Sequence, residues 1–150
     1  MTRPIDVTSR LVSGLSQTFS EGFVRRVRPR LTRSINDTLN DLLTLEGALC
    51  AAVVDSNSGM LLGSAGSGVD LELAAAGNTE VVRAKLRTMR SLGLNDSIDD
   101  MLITLGKQYH IIRPTAKAEG VFVYYVLDKN RANLALARRK VQDAEKALAV

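Results

Sequence analysis

"GALCAAVVDSNSGMLLGSAGSGVD", residues 47–70, decides the fold. Two readings compete for it. In one, an apolar strand runs into a glycine-rich loop that cradles phosphate at the start of a helix. In the other, two short strands form a hairpin and the glycines follow the second. A phosphate loop of the G-x-x-x-x-G-K-[ST] type needs its lysine to neutralise phosphate and its hydroxyl to hold magnesium. "GSAGSGVD", residues 63–70, has no lysine, and Asp70 stands where a helix start would meet an anion. A carboxylate there repels phosphate. The dinucleotide fingerprint is spaced G-x-G-x-x-G, whereas Gly63, Gly66 and Gly68 are spaced G-x-x-G-x-G. The hairpin reading stands. "GALCAAVVD" is a buried strand bounded by Gly47 and the turn cluster "DSNSG", and "MLLGSAG" is its partner, with Gly59 closing the turn. The second strand is expected to fray into a flexible linker before Asp70 caps the next helix.

Hydrophobic spacing places the other elements. Upstream, Ser34 with Asp37 three residues on resembles a capping box. Ile35, Leu39 and Leu42 then form a helical stripe, expected to run to about Leu45. Downstream, Asp70 to about Ser91 is helical, with Leu71, Ala75, Asn78, Val82, Leu86 and Met89 on one face and Gly93 as the stop. "AAAGN", residues 74–78, puts a glycine in the middle of that helix. Such a glycine costs about 1 kcal/mol relative to alanine, so a closely crossing helix is expected there. Three strands follow. "DMLITLG" alternates Met101, Ile103 and Leu105 on one face. "QYHIIRP" ends at Pro114, whose missing N–H is tolerable at a strand end. "GVFVYYVLD" is apolar on both faces, as in a central strand covered above and below. A last helix is expected from an N-cap at Asn130, with Leu134, Ala137, Val141, Ala144 and Leu148 as its seam. The order is α-β-β-α-β-β-β-α. It describes an α+β sandwich, a five-stranded, mostly antiparallel sheet with helices on both faces.

A chain of 150 residues is one domain with a tail. The net charge of +4 is uneven, because seven arginines against Asp6 and Glu21 give residues 1–33 a charge of +5. Residues 1–30 read as a basic, partly amphipathic, flexible arm, and residues 31–150 as the domain. In the arm Leu11, Leu15, Phe19 and Phe23 recur at i, i+4. Arg25, Arg26, Arg28 and Arg30 follow, a candidate contact to anionic membrane or nucleic acid. No aromatic residues interleave them for base stacking. The lone cysteine, Cys50, excludes a disulfide framework and a multi-cysteine metal site, and it fits a reducing compartment. No apolar run approaches the roughly 18 residues that cross a membrane, and the N-terminus lacks a signal-peptide pattern. The expectation is a soluble cytoplasmic protein.

Residues that could carry chemistry are scattered. His110, the only histidine, falls on the strand face of Ile112, opposite Tyr109 and Ile111. A catalytic histidine needs a nucleophile or acid in reach, and His110 reads instead as structural, at an edge or interface. Cys50 lies in an apolar strand with no basic neighbour, an inert core thiol. Asp99 and Asp100, adjacent in a strand, would point to opposite faces and make a poor acid–base pair. Arg83, Lys85, Arg87 and Arg90 read as solvated helix charge or as a contact to an acidic surface. Arg139 and Asp143 pair at i, i+4. Together these describe a non-enzymatic binding or assembly module with no cofactor and no metal.

Four segments carry a resemblance to a known family: the hairpin "AAVVDSNSGMLLG", then "GNTEVVRAKLRTMRSLGLND", "DMLITLGKQYHIIRP" and "VLDKNRANLALARRK". From about Ser34 to Leu148 the chain resembles bacterial members of the roadblock family, relatives of the dynein light-chain roadblock proteins. The arm lies outside the resemblance. The resemblance implies the same sandwich, roadblock/profilin-like. It also implies a homodimer whose third strands meet edge to edge and whose second helices pack together. Mapped here, that interface takes Ala75, Gly77, Asn78, Val82, Leu86 and Met89 from the helix and Met101, Ile103 and Leu105 from the strand. A regulatory or scaffold role toward a small Ras-like GTPase, or in a signalling or motor complex, is implied as well, without catalysis by the domain. The alternative is a dimeric platform whose basic arm attaches to membrane or nucleic acid.

Overall fold

A computed structural model describes residues 34–148. The arm, with Arg25, Arg26, Arg28 and Arg30, lies outside the described residues. The elements are α1 (Ile35–Leu42), β1 (Ala48–Asp55), β2 (Met60–Gly66), α2 (Leu71–Ser91), β3 (Met101–Thr104), β4 (Gln108–Pro114), β5 (Val121–Asp128) and α3 (Leu134–Ala147). Their order is the one the spacing predicts.

Local chemistry sets the ends of the helices. Ser34 caps α1, its Oγ accepting from the Asp37 N–H at 3.1 Å. That helix stops at Leu42, short of Leu45. The Asp41 carbonyl is taken by the Thr44 hydroxyl at 2.7 Å, and the Leu42 carbonyl by the Tyr125 hydroxyl at 2.6 Å. Asp70 caps α2, accepting from the Leu73 N–H at 3.1 Å. A Schellman turn ends it. Gly93, at φ +69°, donates to the Arg90 carbonyl, and Leu94 donates to that of Met89, both at 3.0 Å. α3 starts three residues later than expected. Asp128 holds Asn130 in a turn, its Oδ1 accepting from the Asn130 N–H at 2.9 Å, and Asn133 becomes the cap instead.

The expected fraying of β2 does not occur. The strand pairs with β1 through Gly66, which stands opposite Cys50. Its glycines serve close approach rather than disorder. A side chain at Gly63 would press into Ile35 of α1. Gly66 has φ +83°, with the Leu49 carbonyl against the place a Cβ would occupy.

The sheet order is β2-β1-β5-β4-β3, and every pairing is antiparallel. One face of β5 sends Val123, Tyr125 and Leu127 into a core with Leu39 and Leu42 of α1 and Ala137, Val141 and Leu148 at α3. Its other face sends Phe122, Tyr124 and Val126 into a second core with Ala75 and Val82 of α2. Burial on both faces is why "GVFVYYVLD" shows no alternation.

Candidate functional site

α2 presents three strips with different chemistry. One is consumed by the chain's own core: Ala75, Thr79, Val82 and Met89 are buried. Thr79 is tolerated there because its hydroxyl donates to the Ala75 carbonyl at 2.7 Å. A second strip carries arginines. Arg83 donates to the Ser56 and Asn57 carbonyls at 2.6 and 2.9 Å, which ties α2 to the β1–β2 turn. At 3.6 residues per turn, the third strip is Leu73, Gly77, Val81, Ala84 and Thr88. All five are exposed, Leu73 by 71%, and none is charged. A Cβ built on Gly77 meets nothing within 4 Å.

The helix residues expected at an interface therefore separate. Ala75, Val82 and Met89 face inward, Leu86 stands on the arginine flank, and only Gly77 lies on the uncharged strip. Asn78 reaches inward to hydrogen-bond the Tyr124 side chain. The signal for the third strip was in the sequence, as uncharged residues at i, i+4, i+8, i+11 and i+15 on an otherwise charged helix.

β3 ends the sheet on the side away from β2. Its register with β4 is regular. The opposite edge, β2, carries a bulge, a feature that blunts an edge against pairing. The Leu105 N–H donates to the Gln108 carbonyl at 2.9 Å. Alternation along the ladder then turns the backbone groups of Leu102 and Thr104 outward. Met101 and Ile103 are half-buried on the face that α2 covers. Leu105, expected in the strand, lies just past it at the turn and is exposed.

A polar relay joins α2 to this edge. His110 sits on β4 opposite Ile103 and Val126, on the face with Ile112 as read. Its Nδ1 is 2.8 Å from the Tyr124 hydroxyl, and its Nε2 is 2.8 Å from Gln108 Oε1. An amide oxygen only accepts, so Nε2 carries the proton and Nδ1 accepts from Tyr124. The rings meet edge to face at 5.6 Å. Burial pushes His110 below its ordinary pKa. Burial pushes Tyr124 up, against the opposing pull of the Asn78 hydrogen bond. Both imidazole nitrogens are engaged, so neither is presented to solvent as a base.

The other candidates have structural partners. Cys50 is fully buried, and burial pushes its thiol up. Asp99 and Asp100 precede β3 rather than lying in it. Asp100 is held by Arg138 through two bonds of 2.9 and 3.1 Å. Nearby, Arg113 pairs with buried Glu145 at 3.6 Å, and Arg139 pairs with Asp143 at 3.7 Å as expected. Among the described residues no group of three or more His, Cys, Asp or Glu is placed to hold a metal ion.

Solved structures share this arrangement of sheet and helices. The Roadblock/LC7 domain from Streptomyces avermitilis matches with a TM-score of 0.66 at 10% identity, over 76% of this chain and 93% of that one. This chain has the roadblock fold. MglB of Myxococcus xanthus shares it with a TM-score of 0.66 at 22% identity, over 75% of this chain and 89% of its own. The gliding protein MglB from Thermus thermophilus does so with a TM-score of 0.67 at 19% identity, over 82% and 96%. No family model and no curated protein matches the sequence. The roadblock likeness rests on backbone arrangement, which agrees with the order and sheet composition expected from hydrophobic spacing.

Proposed function

We propose that this protein is a non-catalytic regulatory or scaffold protein of the roadblock family that pairs with a second copy and binds a small Ras-like GTPase. One observation carries the pairing: among the described residues β3 ends the sheet with a regular register to β4 and no strand on its other side. A free regular edge is a template for strand pairing. Two-fold pairing at β3 sets edge against edge, and the family resemblance adds that the two α2 helices pack together. Gly77 then sits where helix backbones approach most closely. The GTPase reading is supported by the roadblock fold and by the segments that resemble the family. The likeness to an MglB described as a gliding protein supports a place in a motility or signalling assembly. Such a module regulates by preferring one nucleotide state of its partner. The basic arm is a proposed accessory contact to anionic membrane or nucleic acid.

Sedimentation of the full chain is expected to show a dimer. Pull-down in the presence of a GTP analogue or GDP is expected to retain a small GTPase in one nucleotide state. Failure to retain a GTPase in either state overturns that reading and leaves the dimer standing. A monomer at all concentrations overturns the pairing. Charge reversal of Arg25, Arg26, Arg28 and Arg30 separates the arm's contribution from the domain's.

A further inference from the structure

The arginine flank of α2 is a sequence feature that the proposed pairing does not use. It borders a groove of about 310 Å³, whose other walls are the turn at Ser56 and Asn57 and the loop at Glu119 and Gly120. Arg83 is not available to a ligand. It bonds Ser56, Asn57 and Glu80, the last at 3.2 Å, and so forms one fixed wall. Arg87 and Arg90 line the same groove, are exposed, and their guanidinium groups make no hydrogen bond or ion pair among the described residues. They stand three positions apart, hence on neighbouring turns of one flank. Glu119 is the only acid lining the groove among the described residues. Leu86 lies between the arginines, 37% exposed, and gives the groove an apolar floor.

We propose that this groove docks an extended acidic peptide segment of a partner protein, with its carboxylates on Arg87 and Arg90 and one apolar side chain over Leu86. Charge complementarity identifies the occupant: two unpaired cations face a single acid. The volume admits one or two side chains and excludes a folded domain, which is why the segment is extended. Bonding of the Met89 and Arg90 carbonyls within the Schellman turn lessens the repulsion of an acid by the C-terminal end of the helix. The groove holds no aromatic side chain to stack a base, which disfavours nucleic acid. It is concave and has only two free cations among the described residues, which disfavours a membrane surface. The groove lies on the flank of α2 beside the uncharged strip, with Ala84 and Arg87 on neighbouring turns, and docking there needs neither the pairing nor a GTPase.

The test uses the full chain, a labelled peptide of about a dozen residues with repeated glutamates and one leucine, and its glutamine counterpart. Binding is read by fluorescence anisotropy and by amide shifts in NMR spectra. The native chain is expected to bind the glutamate peptide selectively, with shifts clustered at Leu86, Arg87 and Gly120. The double variant R87E/R90E is expected to weaken binding about tenfold or more, as two lost charge contacts imply. Arg139→Glu, on α3, is expected to leave it unchanged. R87Q/R90Q guards against a fold effect and is expected to weaken binding in the same direction. Equal binding by R87E/R90E overturns the proposal. So does loss only on reversal of Arg25 and Arg26. Arg87-dependent capture of single-stranded DNA or phosphatidylserine vesicles, with the glutamate peptide ignored, overturns it as well.

Discussion

The Tyr125 hydroxyl donates to the Leu42 carbonyl at 2.6 Å, across 83 positions of sequence. Both residues are fully buried. The bond fixes the end of α1 to the central strand, and it satisfies a helix-terminal carbonyl that no residue of the helix can reach. Tyr125→Phe leaves that carbonyl buried without its partner, at a cost of about 1–3 kcal/mol. Equilibrium urea unfolding checks this, and a loss below about 0.5 kcal/mol would mean that the carbonyl finds another donor. Burial also pushes the Tyr125 pKa well above its ordinary 10.0. The native state therefore keeps its proton where the unfolded state loses it, so stability falls as pH rises above 10.0, and Tyr125→Phe removes that part of the alkaline slope.

His110 gives a slope of the opposite sign. Its native pKa lies below the ordinary 6.5 because burial disfavours the charged ring. Below pH 6.5 the unfolded chain takes up a proton that the native ring refuses, and stability falls as pH drops toward the native value. The geometry adds a reason. A second ring proton on Nδ1 would face the Tyr124 O–H, which now donates to that nitrogen. His110→Asn is expected to flatten the fall of unfolding free energy below pH 6.5, measured as urea midpoints over a series of acidic buffers. An unchanged slope would assign it to other groups.

What the sequence shows well is what depends on neighbours along the chain. The missing lysine after Gly68, the cap at Asp70 and the stop at Gly93 are local chemistry, and each holds. The double-sided burial of β5 is visible because a strand covered twice loses its alternation. What stays hidden depends on distant partners. Gly63 and Gly66 look like a loop until Ile35 and Leu49 are placed beside them. Asn130 reads as the cap until Asp128 takes its N–H into a turn and Asn133 caps the helix instead. His110 acquires its partners only through the register of β4 with β5, which sets it beside Tyr124. The uncharged strip of α2 was readable but masked, since the inward strip has the stronger apolar signal.

Gly66 and Gly77 are expected to respond in opposite directions to alanine. At Gly66, φ of +83° and the collision with the Leu49 carbonyl combine, for a destabilisation of about 3 kcal/mol. At Gly77 the backbone is helical and the added methyl meets nothing, so helix propensity gains up to about 1 kcal/mol within the chain. Thermal and urea unfolding of both variants at low protein concentration checks the contrast. A neutral Gly66→Ala would mean that β2 does not hold its register as far as Cys50.

Thr104 and Gly77 test the pairing surface without touching the core. Thr104 is exposed, and ladder alternation turns its N–H to the free edge of β3. Proline is tolerated at an edge position whose N–H faces solvent. Thr104→Pro should therefore keep the fold while removing a donor that a pairing strand needs. Gly77→Leu fills the space on the uncharged strip where nothing of the chain's own lies within 4 Å. Each variant is expected to weaken self-association about tenfold or more, read by sedimentation over a concentration series, with circular dichroism unchanged. If Thr104→Pro alone has no effect, the copies meet through α2 and not through the sheet. If neither has an effect, self-association uses another face, and the exposed strip of α2 is left for a different protein.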